Sequence, residues 1–317
     1  MIKPQQTSVR ADLLMILASL IWGLAFVAQR MGMEHIGPFL FNGIRFAIGG
    51  GTLLIAGLFI KKLSWHGQEK SQQSAVSSRR FLRDTKKVPW LSASTILLGL
   101  VLFAGASLQQ AGIVYTTAGN AGFITGFYVI FVPIIGLFIG QRPGWGVWAG
   151  ALLALAGMYF LSGGNGTALS YGDLLVFLCS IVWAGHVLLV GHLTSRHSFV
   201  NLAVTQYIVC AILSIITAII FEKISWDAIS QAIIPILYGG LLAVGVAFTL
   251  QIVAQKNAPP AHAAIILSLE SVFAVAGGVM ILNEELTVRK WIGCFLMLTG
   301  MMIAQLFRRS LRLKRQV

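Results

Sequence analysis

Charged residues are scarce in this sequence: Asp, Glu, Lys and Arg make up 10% of its 317 residues, against about 25% in a typical soluble domain. Apolar residues make up 57%, and the mean hydropathy is +0.83. A water-soluble protein of this size needs more charge to cover its surface. The composition therefore excludes an ordinary cytosolic enzyme, and it equally excludes a disordered chain.

Cysteine is also scarce, since only Cys179, Cys210 and Cys294 are present and all three lie in apolar runs. This excludes a disulfide-stapled secreted fold, and no metal-binding spacing is present. The phosphate-binding, serine-hydrolase and zinc-protease motifs are absent as well. We therefore predict no enzyme activity, no metal and no cofactor. Any active transport would have to draw on an ion gradient or on exchange.

Long apolar runs are what the sequence has in abundance. A membrane-spanning helix needs about 20 mostly apolar residues, and the runs lack the period of two of a membrane β-barrel. The sequence therefore predicts an all-α integral membrane protein with ten transmembrane helices. The ten runs cover residues 11–33, 39–60, 91–114, 119–140, 144–162, 171–193, 199–221, 232–254, 261–282 and 290–307.

The 23 Lys and Arg residues, which give a net charge of +13, are unevenly distributed between the runs. With both termini placed in the cytoplasm, 18 of them lie inside and four outside, with Arg45 left within a helix. Because inner loops of membrane proteins are enriched in these residues, the charge indicates topology and no nucleic-acid partner. The inner segments are the N-terminus 1–10, the basic loop 61–90, the short loops at Arg142, Arg196 and Lys256, and the tail 308–317.

An internal repeat divides the chain into two five-helix units, residues 11–162 and 171–307. At an offset of 161, Asp12-Leu13-Leu14 matches Asp173-Leu174-Leu175, and Trp22 matches Trp183. At an offset taken as 142, Gly99-Leu100 matches Gly240-Leu241, and Leu108-Gln109 matches Leu250-Gln251. Five helices are an odd number, so the second unit is expected to enter the membrane upside down. Inverted repeats are typical of transporters that work by alternating access.

The order of short motifs resembles the drug/metabolite transporter superfamily, specifically its ten-helix EamA-type members. The motifs are Ser19–Gly23, Gly43–Phe46, Ala118–Ala121, Thr125–Tyr128, Leu269–Val272 and Leu282–Thr287. The resemblance implies a secondary transporter in a cell (inner) membrane, and an exporter of a small metabolite such as an amino acid. A multidrug or cation efflux transporter is the alternative, followed by a membrane-embedded enzyme or a lipid scramblase. Val129 and Ser271 stand where the family often has the proline that kinks helices four and nine.

Two ionisable residues lie deep in the predicted helices, where charge is costly and is a functional-site hypothesis by default. Glu270, near the middle of helix nine, is either a proton-titrating or substrate-binding carboxylate or a structural partner of Arg45 or of the backbone. Arg45 in helix two binds an anionic group, reaches out to the membrane surface or pairs within the bundle.

Further candidates for the wall of a substrate cavity are aromatic or uncharged polar residues within the runs. The partners that we expect are a small-molecule substrate, the lipid bilayer and a coupling proton or counter-substrate, with the protein a monomer or homodimer. Gly136/Gly140 and Gly146/Gly150 either pack helices within one chain or mark a dimer face. The cavity candidates are Trp22, Trp183, Tyr128, Gln109, Gln251, Asn120 and His186, with His262 a weaker one.

Overall fold

A computed structural model describes residues 9–66, 91–161, 170–283 and 287–313, and within these ranges it contains helices and no strands. Eight of the helices or helix pairs are long and apolar enough to cross a membrane, and two shorter apolar helices cover Trp145–Gly157 and Trp291–Ile303. The chain is thus an all-α, multi-pass membrane protein, as the apolar runs predict. Ten spans remain a prediction.

The helices of the first half follow the predicted runs closely. They are α1 (Val9–Gly32), α2 (Pro38–His66), α3 (Ala93–Ile113), α4 (Ala118–Thr125), α5 (Tyr128–Phe138) and α6 (Trp145–Leu161). Helix α2 ends six residues later than the predicted end at residue 60, so the loop expected at 61–90 begins within a helix. Its Ser/Gln-rich middle lies outside the described residues.

The second half repeats this order. It contains α7 (Tyr171–Leu193), α8 (Phe199–Phe221), α9 (Trp226–Gln231), α10 (Ile233–Leu237), a π-helical segment (Tyr238–Phe248), α11 (Thr249–Gln255), α12 (Pro260–Leu267), α13 (Glu270–Leu282) and α14 (Val288–Leu313). Helix α14 continues past residue 307, into the segment predicted as a tail. The first eight residues, residues 284–286 of the last family-like motif and the final four residues lie outside the described ranges.

Helix contacts come in matched sets across the two halves. Helix α1 packs against α12 and α13, and its counterpart α7 packs against α4 and α5. Helix α3 packs against α7 and α8. Its counterpart has two parts: the π-helical segment packs against α1 and α2, and α11 packs against α1 and α8. Helices α2 and α8 pack on each other, as do α6 and α14. Exchanging the halves therefore largely reproduces the same set of neighbours.

Glycines allow α6 and α14 to approach closely. A Cβ at Gly157 would lie 2.6 Å from the Gly293 carbonyl oxygen, and one at Gly300 would lie 2.7 Å from the Gly150 carbonyl oxygen. Because Gly157 matches Gly300 and Gly150 matches Gly293 in the repeat, the two contacts exchange when the halves exchange. Gly150 is thus covered within the chain, which favours intrachain packing over a dimer face for this glycine pair.

The other predicted glycine pair behaves differently. Gly140 follows the end of α5 with φ +79°, and nothing lies within 4 Å of a Cβ built on it. At this φ an L side chain is strained. Gly140 therefore turns the chain after α5, and its interpretation as a helix-packing residue is wrong.

One difference between the halves is a change of helical form. Gly99 and Gly240 differ by 141 in residue number, whereas Leu108 and Leu250 differ by 142. The single offset of 142 is therefore wrong for the first pair, and the second half holds one extra residue between these points. That stretch overlaps the π-helical segment Tyr238–Phe248. A π-helix has wider turns than an α-helix and so accommodates an inserted residue within a continuous span.

Candidate functional site

A cavity of about 540 Å³ lies between the two halves of the bundle. Part of this volume is open to solvent. Helices of both halves contribute to its wall. Seven of the nine predicted site residues line it, and they are Trp22, Arg45, Gln109, Tyr128, Trp183, Gln251 and Glu270.

Two broken helices place Tyr128 and Glu270 at the cavity. Helix α4 ends at Thr125 and α5 begins at Tyr128, and α12 ends at Leu267 while α13 begins at Glu270. Tight turns bridge the two breaks in the same way, since Val129 N donates to the Gly126 carbonyl at 3.0 Å and Ser271 N donates to the Ser268 carbonyl at 3.1 Å. The helices therefore break without the family's proline at either position.

Tyr128 and Glu270 are equivalent positions of the two halves, 142 residues apart. Each is the first residue of the second half-helix of its span, and both are buried. Among the residues that the structure describes, no partner meets hydrogen-bond criteria for the Tyr128 hydroxyl or for Glu270 Oε1, although these two side chains lie close enough to interact with each other. Discontinuous spans of this kind hold the substrate and ion sites of many transporters.

Arg45 is the cationic residue of the cavity. It is buried, and its guanidinium lies 5.5 Å from the ring centre of Phe41 and 5.1 Å from that of Phe46. Across the ranges that the structure describes, no carboxylate lies within salt-bridge distance of it. Arg45 and Glu270 thus line one cavity without forming an ion pair, and Arg45 points inward to it.

The tryptophans of the two halves form an aromatic wall. Phe248 stands between them, with its ring centre 4.7 Å from that of Trp22 and 5.8 Å from that of Trp183. Trp183 Nε1 donates to Gln109 Oε1 at 2.8 Å, whereas Trp22 Nε1 donates to the Ala243 carbonyl at 3.1 Å. Gln251 is the equivalent of Gln109, and its Oε1 atom has no hydrogen-bond partner within the described ranges.

Two predicted site residues lie outside the cavity wall. His186 is buried, and its Nε2 pairs with Gln206 Oε1 at 2.9 Å. Gln206 is the equivalent of Arg45, so an uncharged pair occupies the corresponding place in the second half. The backbone nitrogen of Asn120 donates to Thr117 Oγ1 at 3.1 Å, in the first turn of α4. Asn120 therefore belongs to a helix start.

Seven residues of the wall were missed by the sequence analysis. Gln29 accepts a hydrogen bond from Gln109 Nε2 at 3.1 Å, and Thr125 ends α4. A helical period would have found Gln29 and Phe26, since they follow Trp22 by seven and four residues on one face of α1. The missed residues are Phe26, Gln29, Thr125, Val187, Ala243, Phe248 and Leu267.

Polar ties between neighbouring elements lie at both ends of the bundle. At the end where α1 begins, His262 Nε2 pairs with Asp12 Oδ1 at 2.9 Å. At the end where α7 begins, Thr116 Oγ1 donates to Asp173 Oδ1 at 2.7 Å. Asp12 and Asp173 are equivalent residues, so each half uses its aspartate to tie the start of a helix to a neighbouring span. His262 is part of such a tie rather than of the cavity wall.

Comparisons with known proteins agree with this architecture. The model of the EamA-like transporter family matches residues 9–163 and again residues 170–305. An uncharacterized transporter of Archaeoglobus fulgidus is 32% identical over 301 residues, covering 93% of this chain and 86% of the relative. The uncharacterized inner membrane transporter YedA of Escherichia coli K12 is 24% identical over 274 residues, covering 86% and 83%. One crystal structure superposes with a TM-score of 0.73 at 21% identity, covering 95% of this chain and 98% of that one.

Proposed function

Because the chain belongs to the EamA-like transporter family, we propose that it is a secondary transporter that moves a small metabolite across a membrane by alternating access. The substrate class is an amino acid or a related zwitterion. The supporting observation is the cavity between the halves, which holds one buried guanidinium and one buried carboxyl group that do not pair with each other.

The two charged groups suit a ligand with two charges of opposite sign. Arg45 offers donors to an anionic group, and a guanidinium fits a carboxylate well. Glu270, with Tyr128 and Gln251 on the same wall, offers acceptors to an ammonium group. Buried groups without partners are costly, and a zwitterion would supply a partner to each.

The aromatic residues suit the remainder of the substrate. Trp22, Phe248 and Trp183 give an apolar wall for a side chain, and a cationic group is also attracted to such ring faces. This wall gives a second candidate function, the efflux of drug-like aromatic cations. In that case Glu270 would bind the cation, and Arg45 would not contact the substrate.

Alternating access follows from the two-unit organisation that we propose, with ten spans in two inverted repeats. Its support is the double match of the family model and the helix contacts that are reproduced when the halves exchange. The two units, 11–162 and 171–307, would rock about the cavity. The ties of Asp12 to His262 and of Asp173 to Thr116 would break in turn as one end or the other opens.

The orientation and direction are also part of the proposal. The excess of Lys and Arg places both termini in the cytoplasm, and the named relative in an inner membrane supports the same location here. We propose export, coupled to a proton or to a counter-substrate, with Glu270 as the titrating residue.

Cysteine labelling tests the orientation. Ser195 precedes Arg196 in an expected inner loop, and Tyr115 lies in an expected outer loop; both are exposed. In intact cells, an impermeant maleimide should label Tyr115→Cys and not Ser195→Cys. The reverse pattern would overturn the orientation.

Flux measurements test the function. Purified protein in proteoliposomes should move radiolabelled amino acids, and Arg45→Gln should abolish this flux while the protein stays folded. Retained uptake of an aromatic cation by Arg45→Gln, without amino acid flux in the parent, would favour the second candidate. Movement of a fluorescent phospholipid without flux of either solute would overturn the transporter proposal in favour of a lipid scramblase.

A further inference from the structure

The tryptophan–glutamine pairs of the two halves are in different hydrogen-bonded states. Trp183 Nε1 donates to Gln109 Oε1 at 2.8 Å, and Gln109 Nε2 continues the chain to Gln29 Oε1 at 3.1 Å. The equivalent pair, Trp22 and Gln251, lines the same cavity. There the Trp22 indole donates to a backbone carbonyl, and Gln251 Oε1 has no partner among the residues that the structure describes.

The helices that carry the open pair are already in contact. Helix α1, which carries Trp22, packs against α11, which carries Gln251, just as α7 packs against α3 around the closed pair. The present partner of Trp22 is the carbonyl of Ala243 in the π-helical segment. A rotation of one unit against the other that brings Gln251 to Trp22 would therefore exchange one acceptor of the indole for another.

In inverted-repeat transporters, the two units exchange conformations when the open side changes. We infer that the Trp183–Gln109 and Trp22–Gln251 hydrogen bonds form in alternation, each stabilising one of the two access states. In each state, the glutamine that is not hydrogen-bonded to its tryptophan faces the substrate. In the present state this glutamine is Gln251. This inference rests on the alternating access of the proposed function.

A rival explanation is also present in the structure. The second half has one residue more than the first in the stretch that overlaps the π-helical segment. The Ala243 carbonyl would then be the permanent acceptor of Trp22, and the difference between the pairs would be fixed in both access states. The two explanations predict different results when Gln251 is changed.

Distances across the two ends of the bundle provide the measurement. Spin labels at Glu34→Cys and Tyr171→Cys report one end, and labels at the equivalent positions Ser195→Cys and Arg10→Cys report the other. All four residues are exposed. The three native cysteines are replaced by alanine, and the distance distributions are recorded in lipid by pulsed electron paramagnetic resonance without substrate.

Gln109→Leu removes the Trp183–Gln109 hydrogen bond of the present state and also the bond from Gln109 Nε2 to Gln29. The first of these crosses between the two units, whereas Gln109 and Gln29 lie in the same unit, so one net bond distinguishes the two access states. The substitution should shift the ratio of the two distance populations at both ends about fivefold towards the alternate state, the factor expected from one net buried hydrogen bond. Trp183→Phe keeps an aromatic ring, removes the indole donor to Gln109 and should give the same shift if Gln109→Leu fails to fold. Adding Gln251→Leu should then reverse the shift, because it removes the bond of the alternate state.

Ser19→Ala and Ser180→Ala are the matched controls. Their hydroxyls donate within their own helices, to the Ile16 carbonyl at 2.8 Å and the Phe177 carbonyl at 2.6 Å, and so are alike in both halves. They should leave the ratio unchanged. If Gln251→Leu has no effect or shifts the ratio further in the Gln109→Leu protein, the alternation is overturned and the permanent bond to Ala243 is supported. The expected shifts in a protein without solute flux would overturn the transport proposal and leave the alternation intact.

Discussion

The two halves of the chain agree where the fold is built and differ where the cavity is charged. In both halves a span is broken at equivalent residues, and the helices α6 and α14 contact each other through equivalent glycines. The two charged residues, in contrast, have neutral equivalents in the other half. Tyr128 is the equivalent of Glu270, and Gln206 is the equivalent of Arg45. The residues that the two halves share thus determine the geometry of the bundle, and the residues that differ between the halves provide the charged groups of the cavity. The following predictions test this division.

The largest effect is expected from Glu270→Gln, which makes the broken spans alike in charge. Solute flux in proteoliposomes should fall about 30-fold or more, or lose its dependence on pH, because removing one partner of a buried charge contact costs about 2–5 kcal/mol. The protein should remain folded, since no ion pair with Arg45 is broken. Tyr128→Phe, the matched change in the first half, should have a smaller effect.

A large loss of thermal stability in Glu270→Gln, rescued together with flux by a neutral residue at Arg45, would contradict this prediction. Glu270 would then be a structural partner of Arg45, since an orphaned buried charge is strongly destabilising.

Phe248→Ala tests how the aromatic wall of the cavity depends on the difference in length between the halves. Phe248 lies in the π-helical segment, where the second half has one additional residue. Its ring packs on Trp22, Trp183, Phe46 and Tyr207. Truncation should lower the free energy of unfolding by about 3 kcal/mol and admit bulkier substrates. Thermal unfolding in detergent and flux of a series of amino acids measure the two effects. Unchanged selectivity would show that the aromatic wall does not contact the substrate.

Gly157→Ala and Gly300→Ala test the shared geometry. Each adds a Cβ about 2.6–2.7 Å from a carbonyl oxygen of the facing helix, and overpacking of this kind costs about 1–3 kcal/mol. Because the contacts are equivalent, the two variants should lower the melting temperature equally. Gly51→Ala is the control, since nothing lies within 4 Å of its Cβ. A strong effect of only one variant would break the equivalence.

The smallest effects concern the starts of α2 and α8. The Glu222 carboxylate accepts from Phe39 N and Leu40 N, both at 2.8 Å, whereas α8 is capped locally by Ser198, which accepts from Asn201 N at 3.2 Å. Glu222→Gln and Ser198→Ala should each cost about 1 kcal/mol. If Glu222→Gln alone leaves thermal unfolding unchanged, the remote cap does not stabilise α2.

Apolar length and repetition made much of the fold predictable from the sequence. The helices α7 and α8 begin and end at the predicted residues, because Ser170 and Ser198 cap their starts. Glu270 and Arg45 could be singled out because charge is rare and costly in lipid. That the two residues line one cavity could not be predicted from the sequence, because it depends on how helices of both halves pack.

Other features depend on contacts that no local pattern records. The breaks at Gly126 and Ser268 occur without the expected proline, because i→i+3 bonds and neighbouring helices satisfy the backbone there. The π-helical segment came from an insertion of one residue, which a single repeat offset conceals. Asn120 lies outside the cavity wall, in the first turn of α4, where the side chain of Thr117 caps the helix.

The break after α4 has a consequence for the biosynthesis of the protein. The Gly122 carbonyl near the end of α4 is held within its own span by a 3.3 Å bond from Gly126 N, and it also accepts the Ser271 hydroxyl at 2.6 Å. Ser271 is synthesised 149 residues later. The Gly122 carbonyl therefore lacks the hydrogen bond from the Ser271 hydroxyl while the second half is translated. The first half of the chain thus lacks this contact when it leaves the ribosome, and we expect two separately expressed halves to accumulate only when both are made in the same cell.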